Sequence, residues 1–290
     1  MNISYWLSNS GLDRLDGELL LEFVLGRRRE WLLAHDDFEI PVGKLKMLKQ
    51  LQTRRLNGEP IAYILGKKEF YGRDFLVTLD VLIPRPETEN LIEIVKTLVR
   101  HSGPRAGIRS TDNFNWIPDQ VRNDGVTKMK VLEVGTGSGC IAITLKLERP
   151  DLEITASDVS KSALLVARRN WKQLGTTGQK INFIRWNLIG EAAGRFDIIV
   201  ANLPYVDREW ETSPAVKYEP ELALFAGDGG LELIKKLLDQ AAAHLSPDGY
   251  VVLEFDPRQA AEVKKYAEKR GFKVCQELPF ALVIKNSLNR

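Results

Sequence analysis

The stretch Val131-Leu132-Glu133-Val134-Gly135-Thr136-Gly137-Ser138-Gly139-Cys140-Ile141-Ala142 decides the fold. A short apolar run broken once by Glu133 reads as a buried strand, and a helical pattern opens at Cys140. Between them, three glycines alternate with Thr136 and Ser138. Glycines let the chain turn tightly and let a ligand approach the backbone, while the first N–H groups of the following helix point outward. Dinucleotide sites space their glycines G-x-G-x-x-G; here the spacing is G-x-G-x-G, without that third position. Asp158 ends the next strand about 20 residues on, where an acidic group can accept both hydroxyls of a ribose. A glycine turn alone is weak evidence, since a purely structural bend also explains it. Strand, turn, helix and Asp158 together point to a nucleoside-type cofactor.

Outward from this loop the chain alternates strand and helix. Cys140 to Leu147 reads as a helix, Glu153 to Ser157 as a strand and Ser160 to Trp171 as a helix, with Trp171 in the core. Ile181 to Arg185 and Phe196 to Ala201 are strands, Leu231 to Leu245 a helix, Tyr250 to Phe255 a strand and Gln259 to Lys269 a helix. Phe272 to Cys275 and Leu282 to Ile284 finish the sheet. Such alternation demands a mostly parallel sheet covered by helices on both faces.

A second signal, Asn202-Leu203-Pro204-Tyr205, stands at the carboxyl end of the strand Phe196 to Ala201, beyond which open α/β sheets hold their ligands. The side-chain oxygen of Asn202 can accept one N–H of a planar amide or amine, and the Leu203 carbonyl the other. Pro204 stiffens the turn, and the Tyr205 ring can stack on the flat group. Alone, the motif is an ordinary Asn-initiated turn; beside the glycine loop it becomes a site for alkylating a planar nitrogen.

Upstream, Leu15, Leu19, Leu20, Phe23 and Val24, then Leu45, Leu48, Leu51 and Leu56, recur at helical spacing, and Gly11, the Gly26 to Arg29 turn and Pro41 divide them into short helices. Arg27-Arg28-Arg29 is a short basic cluster. From Glu59 the runs Ile61 to Leu65, Glu69 to Tyr71 and Phe75 to Val77 read as short strands around Gly66 and Gly72, forming a hairpin. The Pro-rich loop Ile83 to Glu89 leads into a helix carrying Leu91, Ile92, Ile94, Val95 and Leu98. Residues 101–127, rich in turn formers and containing Trp116, read as an inserted, mobile surface loop.

Composition bounds the rest. The 290 residues are 44% hydrophobic and 28% charged, ordinary for a globular chain with an ample core. Forty-one basic against 39 acidic residues give a net charge of +2, which disfavours a dedicated nucleic-acid binder. Cys140 and Cys275 stand far apart, which excludes a zinc-type pair and fits a reducing compartment. No run approaches 18 apolar residues and the start lacks a leader pattern. The expectation is a cytoplasmic protein with no membrane contact and no metal. His35, His101 and His244 join no acid–base constellation.

The glycine loop, Asn202 to Tyr205 and the segment Glu59 to Glu89 together resemble the bacterial peptide chain release factor glutamine methyltransferases. The segment contributes Glu59-Pro60-Ile61-Ala62-Tyr63-Ile64-Leu65-Gly66, Phe70-Tyr71-Gly72 and Ile83-Pro84-Arg85-Pro86-Glu87-Thr88-Glu89. Tyr218-Glu219-Pro220, Ala223-Leu224 and Gly227-Asp228-Gly229-Gly230-Leu231 fit as well. The resemblance implies a seven-stranded Rossmann-like class I methyltransferase sheet over residues 86–290, preceded by a small helical substrate-recognition domain with a hairpin over 1–85. It further implies that Gly135, Thr136, Gly137, Ser138, Gly139 and Asp158, with Asn202, hold S-adenosylmethionine and that Asn187 lies against its adenine. Asn202, Leu203, Pro204 and Tyr205 would hold a substrate glutamine, that of the Gly-Gly-Gln motif in class I release factors, with no direct nucleic-acid contact.

The sequence departs from the family at Leu203, where proline is usual, at Phe255-Asp256, where Ile-Gly is usual, and in the last hairpin. A glutamine methyltransferase of a ribosomal protein, a nucleic-acid adenine methyltransferase and an inactive cofactor-binding module remain alternatives.

Overall fold

The computed structural model describes residues 1–101, 128–190 and 192–287. The loop read at 101–127, with Trp116, falls outside them apart from the helical backbone of His101. Four helices open the chain: α1 (Ile3–Asn9), α2 (Arg14–Leu25), α3 (Arg29–Ala34) and α4 (Val42–Leu56). Asn2 and Asp13 start α1 and α2 by accepting the backbone N–H of Tyr5 and Asp16, and Gly26 ends α2 in the left-handed region at φ 67°. Ile3, Trp6, Leu20, Leu21, Val24, Leu32, Leu48 and Leu51 form their shared core. The stripe differs from the one expected on α2: Leu15 and Phe23 are exposed and Leu21 is buried. The run Leu19-Leu20-Leu21 offers two adjacent apolar stripes, and contact with α4 selects one. The basic cluster is partly consumed internally. Arg29 pairs with buried Glu18 at 2.6 Å, and Arg27 lies over the Trp31 ring.

Ile61–Leu65, expected as a strand, is the short helix α5. Pro60 precedes its first turn and Gly66 caps it at φ 71°, so terminal chemistry overrode the β-like composition of Ile-Ala-Tyr-Ile-Leu. The hairpin consists of β1 (Lys67–Phe70) and β2 (Arg73–Leu76) only, joined by Tyr71-Gly72. Both turn residues have positive φ, 51° and 72°, as a two-residue turn matched to strand twist requires. Tyr71 tolerates this because its N–H donates to Glu89 at 2.8 Å. Phe70 and Phe75 are buried in the same cluster as the central sheet, so the hairpin packs with the sheet rather than with the helices before it.

After α6 (Glu89–His101), whose apolar side is the expected one, the chain runs β3 (Lys130–Val134), α7 (Cys140–Glu148), β4 (Glu153–Asp158), α8 (Lys161–Leu174), β5 (Ile181–Arg185) and β6 (Phe196–Ala201). There follow α9 (Glu221–Leu224), α10 (Glu232–His244), β7 (Leu245–Glu254), α11 (Ala260–Lys269), β8 (Phe272–Leu278) and β9 (Ala281–Asn286). The strands form one seven-stranded sheet ordered β5-β4-β3-β6-β7-β9-β8. The first five are parallel and β9 is antiparallel to both neighbours. From β3 the chain winds first toward β5, then returns to place β6 on the other side. The strand order therefore reverses between β3 and β6, and the crevice at their carboxyl ends is where such sheets take ligands. Trp171 sits at the margin of the core, partly buried against it. Among the described residues no helix is long and apolar enough to cross a membrane, and no cluster of metal-ligating side chains occurs.

Candidate active site

Four strand ends meet at the reversal: Gly135 to Gly139 after β3, Asp158 ending β4, Asn202 after β6 and Glu254 ending β7. Because β3 and β6 are hydrogen-bonded neighbours with Val134 opposite Ala201, the glycine loop and Asn202 emerge side by side. Gly135, Gly137 and Gly139 all adopt positive φ, at 77°, 53° and 83°. Two of them are also spatially required. A Cβ at Gly139 would lie 2.8 Å from Ile143 Cδ1 and 3.1 Å from Ala167 Cβ, and one at Gly135 would lie 3.1 Å from Leu203 Cδ2. A Cβ at Gly137 would meet nothing within 4 Å, so at this glycine the loop faces open space that a ligand can fill.

Asp158 shapes the loop directly. One carboxylate oxygen accepts the Gly137 N–H at 2.9 Å and the other the Ser160 N–H at 2.8 Å. Each oxygen keeps lone-pair capacity for a further donor. Burial raises the Asp158 pKa against the pull of these N–H donors. Behind the loop, Glu133 is wholly buried. Its Oε2 accepts the Thr136 hydroxyl at 2.5 Å and the Ala142 N–H at 3.1 Å, while Oε1 has no partner among the described residues. Burial pushes the Glu133 carboxyl up to about 8.

Leu203 is buried, with its side chain against Gly135. Pro204 and Tyr205 are half-buried. Asn202 donates both N–H bonds of its amide, to Thr88 Oγ1 at 3.0 Å and to Glu254 Oε1 at 2.8 Å, and the Tyr205 hydroxyl also reaches Glu254 Oε1, at 3.3 Å. Burial pushes the Glu254 carboxyl up to about 7 despite the hydrogen bonds from Asn202 and Tyr205. Asn187 lies exposed in the turn following β5; the preceding Trp186 N–H is tied to the Asp158 carbonyl at 3.1 Å.

Several residues that hold this site were given no role from sequence. Asn170 on α8, fully buried, bonds both backbone groups of Leu76 and donates to the Ser138 carbonyl at 2.8 Å, tying the hairpin to the glycine loop. Glu219 pairs with Arg85 at 2.5 Å and accepts the Ile83 N–H, which seats the loop carrying Thr88. Gln259 donates to the carbonyls of Tyr205 and Gly229, both at 2.8 Å. These partners lie dozens of residues apart in the chain and share no periodic signal. The departures at 255 and 256 are absorbed by the fold: Phe255 is fully buried, and Asp256 forms a capping box with Gln259.

Comparisons with known proteins place both parts of the chain in known families. Residues 6–66 match the PrmC N-terminal domain and residues 119–218 the Methyltransferase small domain. The release factor glutamine methyltransferase of Neisseria gonorrhoeae is 34% identical over 281 residues, which cover 96% of this chain and 93% of that protein. The bifunctional methyltransferase of Rickettsia bellii is 35% identical over 93% of this chain, but the chain spans only 50% of that protein's length. Among solved structures, a methyltransferase from Pyrococcus furiosus is similar with a TM-score of 0.50 at 20% identity, covering 83% of this chain and all of that one. That likeness supports the sheet architecture. The full-length relationship, carried through both the helical part and the sheet, means that this chain is a methyltransferase belonging to the release factor glutamine methyltransferase family.

Proposed function

We propose that the protein methylates the side-chain amide nitrogen of the glutamine in the Gly-Gly-Gln motif of class I peptide chain release factors, using S-adenosylmethionine. The observation that carries this reading is the state of Asn202. Both of its N–H bonds are engaged by Thr88 and Glu254, which leaves Oδ1, among the described residues, as an unused acceptor beside the glycine loop. That is the group a primary amide needs in order to be held by one N–H.

Gly135, Thr136, Gly137, Ser138, Gly139 and Asp158 would hold the cofactor, with Asn187 toward its adenine. The open space at Gly137 and the spare lone pairs of Asp158 fit a nucleoside carrying hydroxyls. When bound, S-adenosylmethionine supplies a methyl group on a positively charged sulfur. The chain's own task is positioning. An amide nitrogen is a weak nucleophile because its lone pair is conjugated with the carbonyl, so orientation is the main lever, and effective molarities of about 10⁵ M or more measure what it can supply. Asn202 Oδ1 and the Leu203 carbonyl would accept the two amide N–H bonds and draw electron density onto nitrogen. Tyr205 would cover the amide plane, and Pro204 would limit turn motion. No strong base is required, since the N–H proton becomes acidic as nitrogen is alkylated.

The helical part with its hairpin, residues 1–85, would recognise the release factor, in the cytoplasm, without direct nucleic-acid or membrane contact. The test incubates the protein with methyl-labelled S-adenosylmethionine and, separately, an intact class I release factor, the same factor with its Gly-Gly-Gln glutamine replaced, ribosomal protein and DNA. Label on the first alone is expected. Label on DNA or ribosomal protein instead would overturn the reading.

A further inference from the structure

Resting on that reading, we infer that Glu254 is the positioning residue of the reaction: it and Thr88 lock the Asn202 amide in the orientation that presents Oδ1 to the substrate.

An asparagine amide has two nearly isosteric ends, and a rotation of half a turn exchanges acceptor for donor. For a clamp that must accept an N–H, the wrong end is repulsive. Nothing on Asn202 itself chooses between them; its neighbours do. Glu254 ends β7, next to β6 in the sheet, and the residue is 2% exposed at the crevice floor. Glu254 Oε1 accepts from the Asn202 amide at 2.8 Å, so the end of Asn202 that faces it is Nδ2. The second proton of Nδ2 reaches Thr88 Oγ1 at 3.0 Å. Thr88 is itself 2% exposed, in the short 3-10 helix Pro86–Thr88 anchored through Arg85 to Glu219. With Nδ2 satisfied twice, Oδ1 is turned to the opposite side.

Glu254 does this at a cost. Its Oε2 is buried with no hydrogen-bond partner among the described residues, and burial holds its carboxyl far above the usual range, up to about 7. A buried carboxylate with one orphan oxygen is a poor way to stabilise a strand end. Its donors are Asn202 and Tyr205, both at the proposed substrate position. Its placement is explained by what it does to Asn202.

The test compares the parent with Glu254→Ala, Glu254→Gln and Thr88→Val, plus the pair Asn202→Ala and Asn202→Ala/Glu254→Ala. Each is assayed for kcat and KM on intact release factor and for S-adenosylmethionine affinity by calorimetry. Glu254→Ala should lower kcat at least thirtyfold while KM and cofactor affinity stay within about threefold. Glu254→Gln, whose carbonyl can still accept from Nδ2, should recover the rate to within about fivefold of the parent. Thr88→Val, which opens the other half of the clamp and keeps the branched shape, should lower kcat at least fivefold and serves if Glu254→Ala does not fold. The double variant should be no slower than Asn202→Ala alone, because Glu254 acts through Asn202. Parent-level kcat in Glu254→Ala or Thr88→Val, losses that add in the double variant, or a Glu254→Gln as slow as Glu254→Ala would each overturn the inference. A parent that does not methylate release factor at all would instead refute the proposed function.

Discussion

Gly230 sits under the proposed substrate clamp, and an added methyl there has a calculable consequence. Its φ is 83°, and a Cβ built on it would lie 2.0 Å from the Tyr205 carbonyl oxygen, 2.7 Å from its carbonyl carbon and 2.5 Å from Gln259 Nε2. Non-bonded Cβ contacts below 3.0 Å essentially do not occur, so the Tyr205 backbone must retreat by roughly 1 Å. The same move breaks the 2.8 Å bond from Gln259 that seats Tyr205. The left-handed conformation costs an L-residue about 1–2 kcal/mol, and overpacking a buried site about 1–3 kcal/mol more. Gly230→Ala should therefore lose about 2–5 kcal/mol of stability. A displacement of ~1 Å at the reacting position should cost about 10²-fold in transfer rate.

Gly229 supplies the control. Its φ is 64°, but a Cβ there would find only Asp207 Oδ2, at 3.8 Å. Gly229→Ala should pay only the conformational cost, about 1–2 kcal/mol, and transfer methyl groups within about threefold of the parent. Denaturant unfolding and single-turnover methylation of release factor measure both. Equal stability losses in the two variants, together with a parent-level rate in Gly230→Ala, would refute the spacer argument.

Two further predictions follow from the cofactor side. Asp158→Ala removes acceptors for two proposed ribose hydroxyls, each charge-assisted bond being worth about 1.5–3 kcal/mol, and should weaken S-adenosylmethionine at least tenfold in calorimetry; unchanged affinity in a folded variant would remove Asp158 from the site. Glu133, raised by burial from 4.5 to about 8, holds its proton in the folded chain after the unfolded chain has lost it. Its contribution to stability is thus fully present below about pH 4.5 and is lost as pH rises to about 8. The cofactor-free protein should melt at lower temperature as pH rises from 6 to 8.5, and Glu133→Gln should flatten that slope; an identical slope in the variant would show that Glu133 does not titrate there.

What could be read from the chain alone was what local chemistry dictates. The strand–glycine–helix passage through Val134 to Cys140 is specified by residues that are neighbours in sequence, as are the alternating elements after it. Asp158 and Asn202 were legible because an α/β sheet brings every strand's carboxyl end to one edge, so a polar residue ending a strand declares its position. The segment Ile61 to Leu65 misled for the opposite reason. Five apolar residues fit a strand or a buried helical turn equally well, and the decision lay in the flanking Pro60 and Gly66 and in packing. Likewise, only contact with α4 chose which leucines of α2 face inward.

The network that orients the site belongs entirely to the tertiary structure. Asn202 meets Thr88 across 114 positions and Glu254 across 52, and Asn170 meets Leu76 across 94. A hydrogen bond between such distant residues leaves no periodicity and no composition bias. It exists because β6 and β7 pair in parallel with Ala201 opposite Leu253, which sets Asn202 and Glu254 side by side where the loop before α6 brings Thr88. The sequence declares which groups can do the chemistry, since that is a property of each residue. Which way the Asn202 amide points is a property of its neighbours, and folding alone assembles them.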